Sequence, residues 1–273
     1  MSNLFFIEDF PEGHGGAEQV NNVVAARFGS KWLRSHELKE GELSKDDFYI
    51  LGNLSLLRPA VLEEIKKLNY VILEHDYKIC DTRHPWRHTD SLIPKELRIN
   101  YDLYENAKAI FVQTNDHLDV FKKNEVEGNF INLSSTLWSD EDLELLKRYN
   151  TTSPRNLEYG ILNSSNWIKN TKGAVKFCSD HKVDYKIIEA TDDRDQFINN
   201  MSQFSTLVFF PIARESCCRL VVEARCLRMN VITSMNYGAV LEPWFSKSGD
   251  DLISFLRENT TANLEKIGEY IEN

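Results

Sequence analysis

Two glutamates, Glu215 and Glu223, stand eight residues apart in the segment RESCCRLVVEAR, which is otherwise largely apolar and follows the strand-like run STLVFFP. Ionised carboxylates accept hydrogen bonds from hydroxyl groups, so one ligand rich in hydroxyls, with a glycosyl group at one end and a ribose at the other, would occupy both. If the segment after Arg214 is one helix, eight positions at about 100° each bring Glu223 to within about 80° of Glu215's direction and roughly 12 Å further along the axis. At the start of that helix the backbone N–H groups of Ser216, Cys217, Cys218 and Arg219 lack intrahelical partners and suit a phosphate or sugar oxygen. Glu215 would then sit beside an anion site. The bland reading of the same residues is a first-turn dipole partner and an exposed helix residue.

Three other stretches carry chemistry. In YGILNSSNWIKNTKG (159–173) either Lys169 or Lys172 can neutralise a phosphate, and Lys169 is favoured by its distance from the strand end. In GHGGAEQV (13–20), Gly15 and Gly16 precede a helical pattern, where residues without Cβ let a ligand approach the backbone and the helix start adds a positive dipole end. The densest polar cluster is EHDYKICDTRHPWRH (74–88), in which Arg83 and Arg87 can reach an anion. Asp76, Asp81, His84 and His88 of that cluster can also be read as metal ligands, although Pro85 opposes a helix that would align the two histidines. The adjacent Cys217 and Cys218 read as packing, with an acidified thiol at a helix start as the alternative. There is no Walker A sequence and no G-x-S-x-G elbow, and GHGG lacks dinucleotide spacing.

These residues need elements to hold them. Apolar runs at NLFFIE (3–8), DFYILG (47–52), YVILE (70–74), KAIFVQ (108–113) and NFINL (129–133) alternate with helical patterns at 17–28, 58–68, 94–107, 117–126 and 138–149. Such alternation is the signature of βαβ units and parallel sheets. The polar stretch NTTSPRN (150–156) interrupts it, after which strands in LEYGILN, DYKIIEA, STLVFFP and NVITS alternate with helices and a helical tail follows Gly249. The expectation is two Rossmann-like domains, residues 1–150 and 151–273, with a ligand cleft between them.

Composition bounds the partners. With 32 basic and 42 acidic residues the formal charge is −10, and the longest basic clusters are mixed with acids, which argues against nucleic acid. The N-terminus MSNLFFIEDF lacks a basic leader region, and no apolar run approaches the roughly 20 residues of a membrane span, which leaves peripheral membrane contact as the only lipid option. The five cysteines, without a CxxC pair, fit reduced structural thiols in a cytoplasm.

Taken together, PIARESCCRLVVEARCLRMNVITS (211–234) resembles the Glu-x7-Glu segment of retaining GT-B glycosyltransferases, above all their large family 4, and GHGGAEQV resembles the glycine-rich loop of the same group. The resemblance implies an α/β GT-B fold of two facing Rossmann-like domains, and transfer of a hexosyl-type group from a UDP- or GDP-type nucleotide sugar to a carbohydrate or other acceptor. It implies no cofactor and no metal. By this similarity Glu215 contacts the transferred sugar, Glu223 binds the ribose, Lys169 or Lys172 binds the diphosphate, and His75 lies beside the sugar. Gly15 and Gly16 approach the donor diphosphate or the acceptor, and Asp76 and Arg83 face the acceptor. The family's arginine in the 159–173 loop is replaced by Ser164 or a neighbour, so Arg214 or Arg219 must supply that charge or the chain is a noncatalytic binding subunit. A metal-dependent hydrolase built on Asp76, Asp81, His84 and His88 is the remaining alternative.

Overall fold

The computed structural model describes residues 3–13, 15–150, 157–234 and 238–272. The chain forms two compact units, Met1–Leu137 with Asn259–Asn273, and Trp138–Glu258.

The first unit is built on a parallel sheet of β1 (Leu4–Glu8), β2 (Lys31–Arg34), β3 (Phe48–Leu51), β4 (Asn69–Leu73), β5 (Ile110–Val112) and β6 (Phe130–Asn132), in the order β2-β1-β3-β4-β5-β6. Successive residues of a strand face opposite sides. Phe6, Phe48, Ile50, Val71 and Phe111 accordingly pack with Val20 and Val24 of α1 (Gly16–Phe28) and with Ile267. Ile7, Tyr49, Leu51, Tyr70, Ile72 and Val112 pack the other way, against α2 (Pro59–Ile65), α3 (Tyr101–Glu105) and α4 (Asn115–Lys123) through Val61, Leu103 and Val120. Burial on both faces makes these strands apolar at nearly every position, which is why they stand out in the sequence. The edge strand β2 has the sequence KWLR with exposed Lys31 and Arg34, and those charges hide it. The helix expected over 94–107 is broken. A 3-10 turn, Lys95–Leu97, is followed by α3, with Asn100 between them at φ 59 donating from Nδ2 to the Lys78 carbonyl.

The second unit carries β7 (Leu157–Leu162), β8 (Lys186–Ile188), β9 (Phe204–Phe209) and β10 (Asn230–Thr233), parallel in the order β10-β9-β7-β8. Its helices are α5 (Asp140–Tyr149), α6 (Thr171–Asp180), α7 (Arg194–Ser202), α8 (Arg219–Cys226), α9 (Gly238–Leu241) and the first part of α10 (Gly249–Ile271). Leu207 and Phe209 pack with Val221, Leu143, Leu146 and Leu252, while Ile161 and Val208 pack on the other side with Ala174 and Cys178. As its sequence indicates, α5 starts at an N-cap, with Ser139 Oγ accepting from the Asp142 N–H at 3.1 Å.

The units therefore part at different points from the expected 150/151. Leu143 and Leu146 bury α5 in the second core, and Ile267 buries the end of α10 in the first, so the C-terminal tail returns to the unit that holds the N-terminus. Of the turn-rich stretch expected to mark the boundary, residues 151–156 lie outside the described residues. Among the described residues no helix is long and apolar enough to cross a membrane.

Both sheets are wound in two directions from their first strand. The chain leaves β1 towards β2 and returns to the other side at β3, and it leaves β7 towards β8 and returns at β9. In open α/β sheets the crevice for ligands lies outside the carboxyl ends at such a reversal, here β1/β3 and β7/β9.

Candidate functional site

At the β7/β9 reversal two loops meet. The loop after β7 is pinned by its own side chains: Thr171 Oγ1 donates to the Leu162 carbonyl at 2.9 Å, and Asn166 Oδ1 accepts from the Ile168 N–H at 3.0 Å. Asn170, at φ 52, caps α6 through the Gly173 N–H at 3.1 Å and donates to the Phe210 carbonyl at 2.9 Å. The Ile212 N–H to Ile168 carbonyl bond, 2.8 Å, ties the loop after β9 to it. Lys169 is thereby held with Nζ 2.6 Å from Glu215 Oε1. Both side chains keep contact with solvent, at 32% and 16% exposure, so a ligand can reach the pair. Burial alone would lower the Lys169 pKa, but the Glu215 carboxylate outweighs it and holds the ammonium above its ordinary value. Lys172, the other lysine of this loop, is exposed on the first turn of α6.

Glu215 and Glu223 do not share a helix. Cys218 stands at φ 67 and α8 starts only at Arg219, so Glu215 lies in the preceding loop, where its carbonyl accepts from the Gly238 N–H at 3.1 Å. The expected helix start at 216 is thus moved to 219, and Ser216, Cys217 and Cys218 are buried loop residues. The Cys218 thiol is pushed well above its usual value, by burial first and by Glu215 second, the opposite direction from an acidified thiol. Arg214 is half-buried in the same loop.

Glu223 is buried inside an ion network that sequence reasoning missed. Arg194 Nη2 lies 2.6 Å from Glu223 Oε1 and its Nε lies 3.1 Å from Asp142 Oδ1. Arg219 reaches Asp142 Oδ2 at 2.9 Å, with its guanidinium carbon 3.8 Å from the centre of the Trp138 ring. Burial depresses the Arg219 pKa, partly offset by Glu223 and Asp142. Arg219 is therefore committed to Asp142 and Trp138, which removes it as the substitute for the family's arginine. The signal for Arg194 in the sequence is weak: it opens a polar helix, where arginine is usually a solvated charge.

At the β1/β3 reversal of the first unit, carboxylates end buried strands. Glu8 Oε2 accepts from Asn21 Nδ2 at 2.5 Å and from the Asn53 N–H at 2.8 Å, and Asp9 accepts from the Ser55 N–H at 2.7 Å and from Ser35 Oγ. Because a carboxylate only accepts, Asn21 must turn its amide N towards Glu8 and its Oδ1 towards His75 Nε2, 2.6 Å away. His75 Nε2 is then the donor, and its Nδ1 accepts from Gln113 Nε2 at 3.0 Å. Burial, then Lys78, pushes the His75 pKa down to about 3. His75, expected beside the sugar, is a neutral imidazole whose ring nitrogens meet the side-chain amides of Asn21 and Gln113. The expected glycine loop does open α1, with Gly15 as N-cap and Gly16 as first helical residue, both exposed.

The polar cluster after β4 is a charge network. Glu74 accepts from Lys78 Nζ at 2.6 Å and from the Tyr104 hydroxyl at 2.5 Å, both fully buried, while Asp76 pairs with Arg83 at 2.9 Å and lies 3.6 Å from Lys78. The two cations hold Asp76 well below the usual carboxylate range against the opposing effect of burial. Asp76 and Arg83, both expected on the acceptor side, form an ion pair, while Asp81 is exposed and His84 packs on Trp86. Among the described residues no group of three or more His, Cys, Asp or Glu could hold a metal, so the metal-dependent hydrolase loses its site. All five cysteines are buried and outside any disulfide.

No protein-family model matches the chain, and no curated protein matches it. Solved structures do. Anabaena HepE in complex with UDP and glucose is similar over 96% of this chain and 89% of its own, with a TM-score of 0.56 at 13% identity. Trehalose-6-phosphate synthase OtsA is similar over 99% of this chain and 95% of its own, with a TM-score of 0.58 at 8% identity. A structure from E. coli bound with UDP-2-fluoro glucose covers the same shares, with a TM-score of 0.58 at 10% identity. These neighbours have the GT-B fold, and the likeness establishes that fold for the two parallel sheets of this chain.

Proposed function

We propose that the chain transfers a glycosyl group from a nucleoside-diphosphate sugar to a hydroxyl-bearing acceptor. The observation that carries this reading is the Lys169–Glu215 pair, 2.6 Å apart and open to solvent at the β7/β9 reversal. Two neighbours of the same fold were solved with UDP and glucose or with UDP-2-fluoro glucose, which favours a donor of that class. During transfer the bond from the anomeric carbon to the diphosphate breaks and negative charge grows on the departing phosphate. A preplaced ammonium stabilises that charge without a metal, which is the role assigned to Lys169. Its movement onto phosphate releases Glu215 to accept from a sugar hydroxyl. Glu223 is assigned to the ribose. Arg194 and Arg219 both lie against its Oε1, so Oε2 keeps acceptor capacity. Retention of configuration rests on the Glu-x7-Glu resemblance.

The test is a thermal-shift panel of UDP, GDP and their sugars, with and without EDTA. A ligand bound only to the native state at about 100 times its Kd adds about 2.7 kcal/mol, a visible shift, and EDTA should not remove it. Failure of every nucleotide to stabilise the protein, or a shift that disappears in EDTA, overturns the reading.

A further inference from the structure

The sheet of the second unit ends on one side at β8, whose neighbour in the sheet is β7. The Asn163 N–H donates to the Ile188 carbonyl at 2.9 Å, so Ile188 and, two residues back, Lys186 turn their backbone groups towards β7. Tyr185 and Ile187 turn theirs to the open edge. Asp184, Tyr185, Lys186 and Ile187 are all exposed, the tyrosine at 36% and the isoleucine at 38%. Parallel sheets are covered on both faces, so a run of exposed residues at the margin of one, with two large apolar side chains on the same face, marks a surface that is not closed within the chain. Residues 183–185 lead into β8 and belong to no helix or turn.

An open edge is a template for another strand, and the sequence here is its own complement. Paired antiparallel about Tyr185, the stretch VDYKI (183–187) sets Tyr185 against Tyr185 of a second copy, Val183 against Ile187, and Asp184 against Lys186, the last two pairs each occurring twice by symmetry. Backbone and side chains agree on that register. Tyr185 falls at a hydrogen-bonded position, where it exchanges N–H and C=O with its counterpart, and the Ile187 N–H meets the Val183 carbonyl. The Val183 N–H is already given to the Cys178 carbonyl at 3.1 Å, so that pair is joined by one bond instead of two. Asp184 and Lys186 fall at a non-hydrogen-bonded position, where facing side chains come closest and opposite charges are favourable. The other edges lack this complementarity: self-pairing of β2 over KWLR would set Lys31 against Arg34, while β10 exposes only Asn230 and β6 exposes none of its residues. We propose that two copies of this chain associate through β8, antiparallel about Tyr185, and join their four-stranded sheets into one. The proposal does not rest on the glycosyl-transfer reading.

Sedimentation velocity over a concentration series, without nucleotide, tests it. The wild type should pass reversibly from monomer to dimer as the concentration rises, because about five residues a side is far below the roughly 20–30 of a standard interface. Asp184→Lys and Lys186→Asp, both at exposed positions, leave like charges facing each other twice, and each alone should lower the association constant by about tenfold or more. An equimolar mixture of the two variants brings opposite charges together at both places and should recover the dimer, as should the double swap within one chain. Recovery in the mixture also shows that both variants are folded. A wild type that stays monomeric throughout, or that associates no better than either single variant, overturns the inference. A mixture no more associated than its components overturns it as well, since residue 184 would then not face residue 186.

Discussion

Lys169 and Glu215 are paired in this structure, and the proposed chemistry requires them to separate. If Lys169 leaves Glu215 for the diphosphate, Lys169→Ala should weaken UDP or GDP binding by the worth of a charge-assisted bond, about 1.5–3 kcal/mol, and leave binding of the bare nucleoside unchanged. Calorimetry of both ligands on the variant measures this. Lys172 is exposed and away from Glu215, so a larger loss in Lys172→Ala would show that the loop has been read wrongly. Glu215→Gln should spare nucleotide affinity and lower kcat and kcat/KM together, because its contact is to the sugar in transit. Glu223 is a different case. It shares Arg194 and Arg219 with Asp142, so its removal leaves two cations facing one carboxylate, and a folding measurement has to accompany any kinetic one. Residue identities at 169, 215 and 223 were legible from type and spacing. Arg194, the partner of Glu223, and Asp142, which shares that arginine, were not, since both come from other helices.

At the scale of elements, the junctions decide more than the strands do. Gly52 follows β3 where a Cβ would collide with Glu8 Oε2 and crowd Asn21 Nδ2 and the Phe6 ring at 3.0 Å. Glu8 is fully buried and held by Asn21 and Asn53, so it cannot swing away. Gly52→Ala should therefore destabilise the fold by about 1–3 kcal/mol, the usual range for overpacking, seen as a lower urea midpoint with an unchanged m-value. A midpoint equal to that of the wild type would refute the proposed crowding. The same scale explains the mistaken helix at 216. The residues of SCCRLVVEARC read as one continuous helical segment, but Cys218 takes a left-handed conformation, and only the tertiary bonds of the β9–α8 loop impose that break. Similarly, β2 was missed because KWLR carries charges at both ends, and the turn at Asn100 interrupts a segment whose periodicity continues across it.

For the whole molecule, buried histidines couple folding to pH. His117 sits behind the β4 loop with Nε2 donating to the Asp76 carbonyl at 2.8 Å, and burial pushes its pKa down to about 4. The unfolded chain, with an ordinary histidine value near 6.5, takes up a proton that the folded state refuses. The contribution is thus complete above about pH 6.5 and is lost as the pH falls towards 4, up to roughly 3 kcal/mol. His75 adds in the same direction. Urea unfolding at pH 7.5 and 4.5 should show a smaller loss for His117→Gln than for the wild type, and equal losses would remove the assignment. The sequence by itself determined the alternation of buried strands and helices, the presence of two parallel sheets, and the residue types Lys169, Glu215 and Glu223, because covered strands and local periodicity are written in contiguous residues. Only the tertiary structure decided that α5 belongs to the second core and the end of α10 to the first, that His75 is locked between Asn21 and Gln113, and that Glu223 is held by arginines. Each of these is a contact between residues far apart in the chain, and no periodicity records which distant side chain a buried polar group will find.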